Sequence, residues 1–502
     1  MGGPKAASDA IRFVFGGVLR ELRGIDPNTT VLNWLRESER KTGTKEGCAE
    51  GDCGACTVVL GELTGRSVRY RAVNACLLFV PALDGKELVT VEDLRWPDGA
   101  LHPVQRALVD HHGSQCGFCT PGFVMSLFAL YKAEAKPDRA RINNAVAGNL
   151  CRCTGYRPIV DAGLAVGKNG SDDQFSAREK DTARLLRSIR RKETFAYQAN
   201  ARRYFAPTSE DELAGLYKKH PDANLLAGGT DLGLLVTKQH RDLDTLIALN
   251  GIASMRYARP SGETIEIGAA TPYSEASEAI ADAYPDFGEL IRRLGSMQIR
   301  NAGTIGGNIA NASPIGDSMP GLIALGASLR LRRGKKIREV PLDEFYTGYR
   351  QTMLEPGEFI AGIRLPTPRK DCHFRTYKVS KRFDQDISAV CAAFAITVTG
   401  GRVADARICY GGMAAIPARA THCETALIGQ IWGERAIEGA GRALERDFAP
   451  LSDMRASAGY RMAVAGNLLR RMVLETTGTP KLSHVLAYDG ALPKRSLAGS
   501  RS

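Results

Sequence analysis

Eight of the twelve cysteines fall between positions 48 and 153, in two groups of four. The first group has the spacing C-x4-C-x2-C, and a fourth cysteine follows after 19 residues; its members are Cys48, Cys53, Cys56 and Cys76. This is the spacing of plant-type [2Fe–2S] sites. Three thiolates from one loop can meet at a small inorganic core only if the chain curls tightly, and the interleaved Gly47, Gly51 and Gly54 permit such turns. The stretch therefore predicts an iron–sulfur cluster.

A zinc site is the alternative for this first group. Zinc loops usually carry two C-x2-C pairs, and the four-residue gap between Cys48 and Cys53 fits that pattern poorly. Disulfides are disfavoured in a reducing compartment, where clustered thiols more often bind metal or take part in redox chemistry. We therefore expect the cluster rather than zinc.

The second group combines a C-x2-C pair with a C-x-C pair 31 residues later. Its members are Cys116, Cys119, Cys151 and Cys153. Each pair stands before a segment with helical character, and a helix N-terminus favours a negatively charged cluster. The spacing alone is ambiguous between iron–sulfur and zinc sites. The other four cysteines are isolated and are interpreted as small buried apolar residues: Cys372, Cys391, Cys409 and Cys423.

Two glycine-rich stretches carry a second kind of chemistry. One is "LLAGGTDL" (225–232), and the other contains "TIGGN" (304–308) followed by polar Ser313 and Asp317. Glycines let backbone N–H groups approach phosphate oxygens closely. A single such turn is most often only a turn, and the chain has neither a G-x-G-x-x-G nor a P-loop motif. The two stretches together favour a nucleotide site.

Composition limits the class of protein. The chain has 502 residues, 44% of them apolar and 24% charged, which predicts a globular protein of two to four domains. No apolar run approaches the roughly 20 residues of a membrane helix, and the N-terminus lacks a secretory signal, so we expect a cytoplasmic protein without membrane contact. The net charge of +12 is scattered, with a local excess at 178–192. That excess is interpreted as a solvated helix or linker rather than a nucleic-acid surface.

Longer motifs around the cysteines resemble one known family. "QCGFCTPG" and "GNLCRCTGYRPI" are similar to the second [2Fe–2S] domain of the molybdenum hydroxylases, the xanthine dehydrogenase family. The preceding order of strand, strand, helix, cysteine loop and strand resembles a plant-type ferredoxin. The resemblance implies that all eight clustered cysteines are ligands of two [2Fe–2S] clusters. The chain departs from the family at Ala49 and Asp52, where glycine is usual.

The glycine-rich stretches resemble the FAD domain of the vanillyl-alcohol-oxidase-like class (PCMH-like), in the version that molybdenum hydroxylases use. The resemblance implies that the first stretch cradles the pyrophosphate and that Leu294 and Ile360 pack on the cofactor. The implied FAD contacts are Leu225, Leu226, Ala227, Gly228, Gly229, Thr230, Asp231, Leu232, Leu294, Thr304, Ile305, Gly306, Gly307, Asn308, Asp317, Ile360 and Lys378. "YKVSKRFDQDISAV" also resembles the family, with Gln385 where some relatives have aspartate.

The predicted fold class is multidomain α+β. The expected parts are a plant-type ferredoxin-like β-grasp domain (9–92), a helical [2Fe–2S]-binding domain (93–165), a linker (166–198), an FAD-binding domain (199–372), an α+β CO-dehydrogenase-flavoprotein-like C-terminal domain (373–485) and a mobile tail (486–502).

The resemblance implies the iron–sulfur/FAD subunit of a bacterial xanthine dehydrogenase. The molybdopterin cofactor is then expected on a large partner subunit, in a heterotetramer of two small and two large chains. Electrons from the oxidation of hypoxanthine and xanthine to urate would pass through the two clusters to FAD and on to NAD⁺. No acid–base catalyst is predicted in this chain, because hydroxylation takes place on the partner.

Three alternatives remain open from the sequence. The chain could be a stand-alone flavin–iron–sulfur reductase (a diaphorase), or the corresponding subunit of another molybdenum hydroxylase. The third alternative is a zinc-dependent scaffold without redox function, which would be colourless rather than brown.

Overall fold

A computed structural model describes residues 10–166 and 173–477 of the chain. The predicted tail, 486–502, lies outside the described residues, as do the first nine positions. Within the described ranges, none of the helices has the length and apolar character needed to cross a membrane.

The first domain is a mixed five-stranded sheet with a short helical turn packed on it. Its strands are β1 (Ile11–Phe15), β2 (Val18–Leu22), β3 (Thr57–Thr64), β4 (Ser67–Asn74) and β5 (Glu87–Val89), in the order β2-β1-β5-β3-β4. Gly16 and Gly17, both with positive φ, form the predicted turn between β1 and β2. Helix α1 (Val31–Asn33) continues as a π-helical turn (Trp34–Ser38) that buries Trp34.

Four helices form the second domain. They are α2 (Pro103–Asp110), α3 (Thr120–Ala133), α4 (Arg139–Val146) and α5 (Arg157–Val166). Helix α3 is apolar on most of its surface, and nine of its residues are buried, because it lies between the other helices and strands β3 and β4 of the first domain. A helix that is apolar all round is stable only when it is enclosed in this way.

The segment predicted as a linker is packed against the first domain. It contains α6 (Gln174–Ala177) and α7 (Glu179–Ser188). Phe175 and Leu186 are fully buried in the apolar core that the first two domains share. Arg178 forms an ion pair with Glu87 of β5 at 3.2 Å. The basic surface seen in the sequence is the exposed side of this segment.

The predicted FAD domain contains two larger sheets and a two-stranded ribbon. Its strands are β6 (Phe195–Ala199), β7 (Arg202–Ala206), β8 (Asn224–Leu226), β9 (Thr245–Ala248), β10 (Ala258–Ser261), β11 (Thr264–Gly268), β12 (Ser328–Arg333), β13 (Lys336–Pro341), β14 (Tyr346–Gly348), β15 (Gln351–Thr352) and β16 (Phe359–Pro366). The sheet orders are β6-β7-β9-β8 and β10-β11-β16-β12-β13, and β14 pairs with β15.

Helices surround these sheets and carry the glycine-rich stretches. They are α8 (Glu210–Lys219), α9 (Leu232–Thr237), α10 (Tyr273–Ala283), α11 (Pro285–Arg292), α12 (Met297–Ala302), α13 (Ile305–Ala310) and α14 (Ser318–Ala324). Short 3₁₀ turns occur at Val80–Leu83, Val91–Leu94, Ala253–Met255 and Leu342–Glu344.

The C-terminal domain is an antiparallel sheet covered by helices. It contains β17 (Cys372–Val379), β18 (Val390–Thr399), β19 (Arg402–Gly411) and β20 (Ala418–Arg419), in sequential order, with α15 (Thr421–Leu427), α16 (Glu434–Asp447) and α17 (Ala458–Thr477).

The domains share apolar cores. Phe13 and Cys76 of the first domain lie in the same buried cluster as Tyr204 and Leu246 of the sheet that contains β8. Burial of each large apolar side chain stabilises the fold by about 1.5–3 kcal/mol. This shared core fixes the first domain against the glycine-rich stretches of the predicted FAD domain.

Candidate iron–sulfur and flavin sites

The first cysteine group lies on the loop between the π-helical turn and β3, closed by Cys76 just after β4. The Sγ atoms of Cys56 and Cys76 are 3.4 Å apart. Cys48 Sγ accepts backbone hydrogen bonds from Glu50 at 3.4 Å and Cys53 at 3.3 Å. Backbone N–H groups directed at sulfur are the donors that stabilise a negatively charged cluster.

Two of the glycines on this loop are required by its geometry. Gly51 and Gly54 both have positive φ. A Cβ on Gly47 would lie 2.8 Å from Cys53 Sγ, and a Cβ on Gly51 would lie 2.6 Å from Leu77 Cδ1. The sequence argument from close approach therefore agrees with the backbone at these positions. Ala49, one of the departures from the family pattern, also has positive φ.

The second cysteine group is at the surface of the helical domain. Cys119 is the N-cap residue of α3, and Cys151 and Cys153 lie on the loop before α5. Cys151 Sγ accepts hydrogen bonds from the backbone of Cys153 at 3.4 Å and from the Thr154 hydroxyl at 3.2 Å. Cys116 and Cys153 are exposed, so this group can reach a partner molecule.

The eight thiols meet in pairs. A hydrogen bond joins Cys56 to Cys76. Cys53 shifts the pKa of Cys48, Cys151 shifts that of Cys119, and Cys116 shifts that of Cys153. Among the described residues, no three or more His, Cys, Asp or Glu side chains converge on one point that could hold a metal ion. Two thiolates for each iron is the ligand arrangement of a four-cysteine [2Fe–2S] cluster. The donor set therefore fits two such clusters.

Thiol acidity differs within these pairs. The hydrogen bond from the Cys53 thiol lowers the pKa of Cys48 to about 5. Burial raises the pKa of Cys119 to about 12. Burial also acts to raise the pKa of Cys151, but hydrogen bonds from Thr154 outweigh it and lower that pKa. One thiol in each of these pairs is thus favoured as thiolate, the form that binds iron.

The loops of the two cysteine groups touch each other directly. The backbone N–H of Leu150 donates to the carbonyl of Cys53 at 3.0 Å. Asn149 Nδ2 donates to the carbonyl of Gly54 at 3.0 Å. A Cβ on Gly122, in the first turn of α3, would lie 2.3 Å from the Gly54 oxygen. The two groups are therefore neighbours, separated by one layer of backbone.

The two glycine-rich stretches of the predicted FAD site are also in contact. Leu225 and Leu226 end β8, Ala227–Asp231 form the loop, and Leu232 begins α9. A Cβ on Gly228 would lie 2.0 Å from the carbonyl oxygen of Ala302, at the end of α12. Thr304 caps α13 by accepting the Gly307 N–H at 3.0 Å, so Ile305, Gly306, Gly307 and Asn308 form the first turns of that helix.

Polar groups at this site are held by a buried network. The Lys378 ammonium forms an ion pair with Asp317 at 2.5 Å, and both side chains are more than nine-tenths buried. Ser388 donates to the other Asp317 oxygen at 2.6 Å. Asn308 Oδ1 accepts a hydrogen bond from the Tyr273 hydroxyl at 2.9 Å. Removing one partner of a buried, hydrogen-bonded ion pair is strongly destabilising, because it leaves the other charge uncompensated.

The apolar residues implied for FAD fall in two clusters, and Leu226 and Leu232 belong to the one shared with the first domain. In the other cluster, Ile360, in β16, and Ile305 are buried, and Leu225, Ala227 and Leu294 pack against them. The structure thus places the predicted FAD residues in one region, on the loops and helix ends described above. The contacting glycine stretches offer the close backbone approach that a pyrophosphate needs, so the residues present fit FAD.

Leu77 connects the first cysteine group to this region. It directly follows Cys76, and its carbonyl oxygen would lie 3.0 Å from a Cβ on Gly229. Its side chain would lie 3.2 Å from a Cβ on Gly233, in α9. The three regions therefore lie in the order second group, first group, glycine stretches.

Sequence reasoning missed two contacts at the site. Gln298 is a buried amide of α12 that hydrogen-bonds Thr57 and Asn149, which flank the two cysteine groups. Gln385 donates to the backbone carbonyl of Asp52 and, at 3.2 Å, to its carboxylate. Gln385 drew attention only as a residue that stands where some relatives have aspartate, and nothing local in the sequence indicates the distant partner of either glutamine.

Four known families match the chain in succession. The "2Fe-2S iron-sulfur cluster binding domain" matches residues 16–80, and the "[2Fe-2S] binding domain" matches residues 90–164. The "FAD binding domain in molybdopterin dehydrogenase" matches residues 196–368, and the "CO dehydrogenase flavoprotein C-terminal domain" matches residues 375–476.

Individual proteins agree with these matches. The xanthine dehydrogenase of Emericella nidulans is 33% identical over 499 residues, covering 88% of this chain and 36% of that protein. The xanthine dehydrogenase of Drosophila subobscura is 32% identical, covering 98% of this chain and 41% of that protein. The chain thus spans about two fifths of the length of these relatives.

A solved structure matches about half of the chain. The reconstituted CO dehydrogenase from Oligotropha carboxidovorans matches with a TM-score of 0.51 and 31% identity, over 53% of this chain and 94% of the matched chain. The mixed α/β architecture and its domain types are those expected from the sequence. The chain belongs to the molybdenum hydroxylase family, of which it carries the two [2Fe–2S] domains and the FAD-binding domains that transfer electrons.

Proposed function

We propose that the chain is the iron–sulfur/FAD subunit of a xanthine dehydrogenase. In this function it receives electrons from a molybdenum cofactor on a partner chain and passes them through two [2Fe–2S] clusters and FAD to NAD⁺ during oxidation of hypoxanthine and xanthine to urate. The observation that carries the proposal is the linear order of two paired thiol groups and a glycine-lined site within one fold.

The eight clustered cysteines are the proposed iron ligands. Their arrangement as pairs supports two clusters rather than a structural zinc site. The backbone N–H groups directed at Cys48 and Cys151 compensate negative charge at each group. When bound, the clusters would carry single electrons, and FAD would collect two and release them as a hydride.

This chain's own residues set the path between the groups. The hydrogen bond from Leu150 N–H to the Cys53 carbonyl joins the residue before one proposed ligand to another proposed ligand. Leu77 packs between the first group and the glycine stretch at Gly229 and Gly233. Leu77 is buried, so it excludes water from the gap between the first group and the glycine stretch.

The FAD residues have distinct proposed roles. The loop around Gly228 and Gly229 presents backbone N–H groups to the pyrophosphate. Leu294 and Ile360 supply apolar contact. Lys378, held by Asp317, places a positive charge near the cofactor.

The acceptor NAD⁺ has a plausible approach beside Lys378. A cavity of about 320 Å³ is lined there by Arg293, Lys378, Lys381, Arg382 and Phe383, and also by the carboxylates of Asp286, Glu289 and Glu475. Cationic side chains around an aromatic ring match the phosphates and bases of a dinucleotide. We assign NAD⁺ to this cavity as part of the proposal.

The molybdenum chain is proposed to dock at the second cysteine group. Cys116 and Cys153 are exposed there, and Phe118, Leu150 and Tyr156 expose apolar surface around them. Large exposed apolar residues clustered on one surface mark interaction sites. Docking at this surface would bring the partner's redox centre next to the outermost thiols. The full assembly is proposed to contain two chains of each kind.

A second candidate is the same role in another molybdenum hydroxylase. The likeness to a CO dehydrogenase chain, 94% of which is matched, favours it. The two candidates differ in the substrate of the partner chain and share every residue assignment made here.

Affinity purification of the complex from its natural host tests the proposal. The expected result is molybdenum on a co-purified chain, two irons for each cluster, one FAD, and reduction of NAD⁺ that depends on xanthine. As a control, Cys372→Ser changes an isolated, half-buried cysteine outside both cysteine groups and should keep the full iron content. A complex that holds the clusters and flavin but does not oxidise purines would favour the second candidate. Zinc in place of iron would refute both.

A further inference from the structure

A buried hydrogen-bond network joins three domains where the two cysteine loops meet. Gln298 belongs to the FAD-binding domain and is fully buried. Its Nε2 lies 3.1 Å from Thr57 Oγ1 in the ferredoxin-like domain. It also lies 3.1 Å from Ser126 Oγ and 3.2 Å from Asn149 Oδ1 in the helical domain. One amide of the FAD-binding domain therefore contacts both domains that carry the cysteines.

The hydrogen atoms of this network can be assigned without conflict. The Thr57 hydroxyl donates to the Gly54 carbonyl, and the Ser126 hydroxyl donates to Asn149 Oδ1, each at 2.6 Å. The Asn149 amide donates to the Gly54 carbonyl at 3.0 Å and to Thr57 Oγ1 at 3.3 Å. The two amide hydrogens of Gln298 are then directed at Thr57 and Ser126. Every donor in this network has an acceptor, whereas Gln298 Oε1 is buried without a hydrogen-bond partner among the described residues. The donor–acceptor pairs favour one arrangement of the members.

The members of the network stand next to the cysteines in the chain. Thr57 directly follows Cys56, and Asn149 comes two residues before Cys151. A Cβ on Gly148 would lie 2.3 Å from Gln298 Oε1, so the Gln298 side chain packs directly on this backbone. A displacement of Gln298 would therefore also displace both cysteine loops.

We propose that Gln298 is a positioning residue of the electron relay. It acts through Thr57, Ser126 and Asn149 to hold the two cysteine groups and the FAD-binding domain at a fixed spacing. The inference rests on the proposed function, because spacing matters here only if electrons cross these gaps. Transfer between redox centres slows as their separation grows, so a displacement of either cysteine group by about an ångström lowers the rate several-fold.

Gln298→Met in the complete complex tests this role. Methionine keeps the length of the side chain and removes both donors. The expected result is retention of iron and flavin, an altered magnetic interaction between the two reduced clusters, and xanthine-driven flavin reduction slowed several-fold relative to NADH-driven dye reduction.

Gln174→Met is the matched control. The Gln174 amide also reaches three acceptors, the carbonyls of Asp93, Leu94 and Arg95 at 2.9–3.2 Å, and these lie away from the cysteines in the chain. We expect this variant to keep the wild-type rate of flavin reduction and the wild-type cluster interaction.

The outcomes separate the two proposals. If Gln298→Met matches Gln174→Met in both measurements, Gln298 does not position the relay. If wild-type complex itself shows no substrate-driven flavin reduction, the proposed function fails instead. Should Gln298→Met lose its cofactors, Ser126→Ala removes one acceptor of the same network, and a wild-type rate in that variant would overturn the inference.

Discussion

Replacement of Gly54 by alanine adds one atom, the alanine Cβ, at the contact between the loops of the two cysteine groups. Gly54 lies between Cys53 and Cys56 and has a φ of +69°. A Cβ there would lie 2.2 Å from the carbonyl oxygen of Gly148 and 2.6 Å from Asn149 Nδ2. Both of these neighbours belong to the loop that leads into the second cysteine group.

The structure sets the size of the effect. Alanine in the left-handed region costs about 1–2 kcal/mol through its own backbone strain. Ordinary van der Waals contact begins at 3.4 Å, so the Gly148 oxygen must retreat from 2.2 Å by about 1.2 Å. Because the neighbour is backbone and not a flexible side-chain end, the retreat moves the loop. We therefore expect the gap between the two groups to widen by about 1 Å and electron transfer between them to slow several-fold.

Gly65→Ala is the matched control in the same domain. Gly65 lies in the turn between β3 and β4 with a φ of +61°, and a Cβ there would meet no heavy atom within 4 Å. It should cost the same backbone strain without moving a cysteine loop. The assay is rapid-mixing measurement of flavin reduction by substrate in the complete complex, with the cluster interaction followed by electron paramagnetic resonance.

The two variants must behave differently if the reasoning is sound. Gly65→Ala should lower stability slightly and keep the wild-type relay rate, and Gly54→Ala should slow the relay with iron and flavin retained. Equal relay rates in the two variants would show that the contact at Gly54 does not set the spacing of the groups.

Cys151→Ser should remove one of the two paramagnetic iron–sulfur signals and block purine turnover, with NADH oxidation by an artificial dye largely preserved; loss of dye activity with flavin bound would contradict the order of the relay. Lys378→Met leaves Asp317 buried without its cation and should lower the free energy of unfolding by about 3–5 kcal/mol. Adding Asp317→Asn should restore most of the lost stability. Equal melting temperatures for the single and double variants would refute the buried ion pair between Lys378 and Asp317. Burial acts to raise the pKa of Asp173, but hydrogen bonds from His102 and its other partners hold that pKa at about 2, below the ordinary 3.8. The ionised carboxylate thus stabilises the fold by up to about 2 kcal/mol above pH 3.8, and this stabilisation is lost only as pH falls towards 2. The difference in melting temperature between wild type and Asp173→Asn should be constant from about pH 5 to 8. A trend in that difference across this pH window would contradict the low pKa of Asp173.

The chemistry of the site was readable from the sequence because it depends on residue types at short spacing. The roles of the cysteines from Cys48 to Cys56 and of the glycine pair Gly228 and Gly229 can be inferred from residue types close together in the chain. Thiolate ligands come only from cysteine, and glycine adopts left-handed turns at the lowest cost. The four family matches and the element order agree with those local signals.

The contacts between domains were not readable, because they join residues far apart in the chain. Gln298 and Thr57 are 241 positions apart, and Gln385 and Asp52 are 333 apart. Periodicity and spacing report on local structure only. The segment interpreted as a linker shows the same limit, because its polar composition hides Phe175, which is buried against the ferredoxin-like domain.

Iron, flavin and magnetic resonance measured together on the reduced native protein test the central claim most directly. Two distinct [2Fe–2S] signals that interact with each other, four irons and one FAD per chain are the expected result. A single signal, or two signals with no magnetic interaction in protein that keeps all its iron, would contradict the adjacent placement of the two cysteine groups.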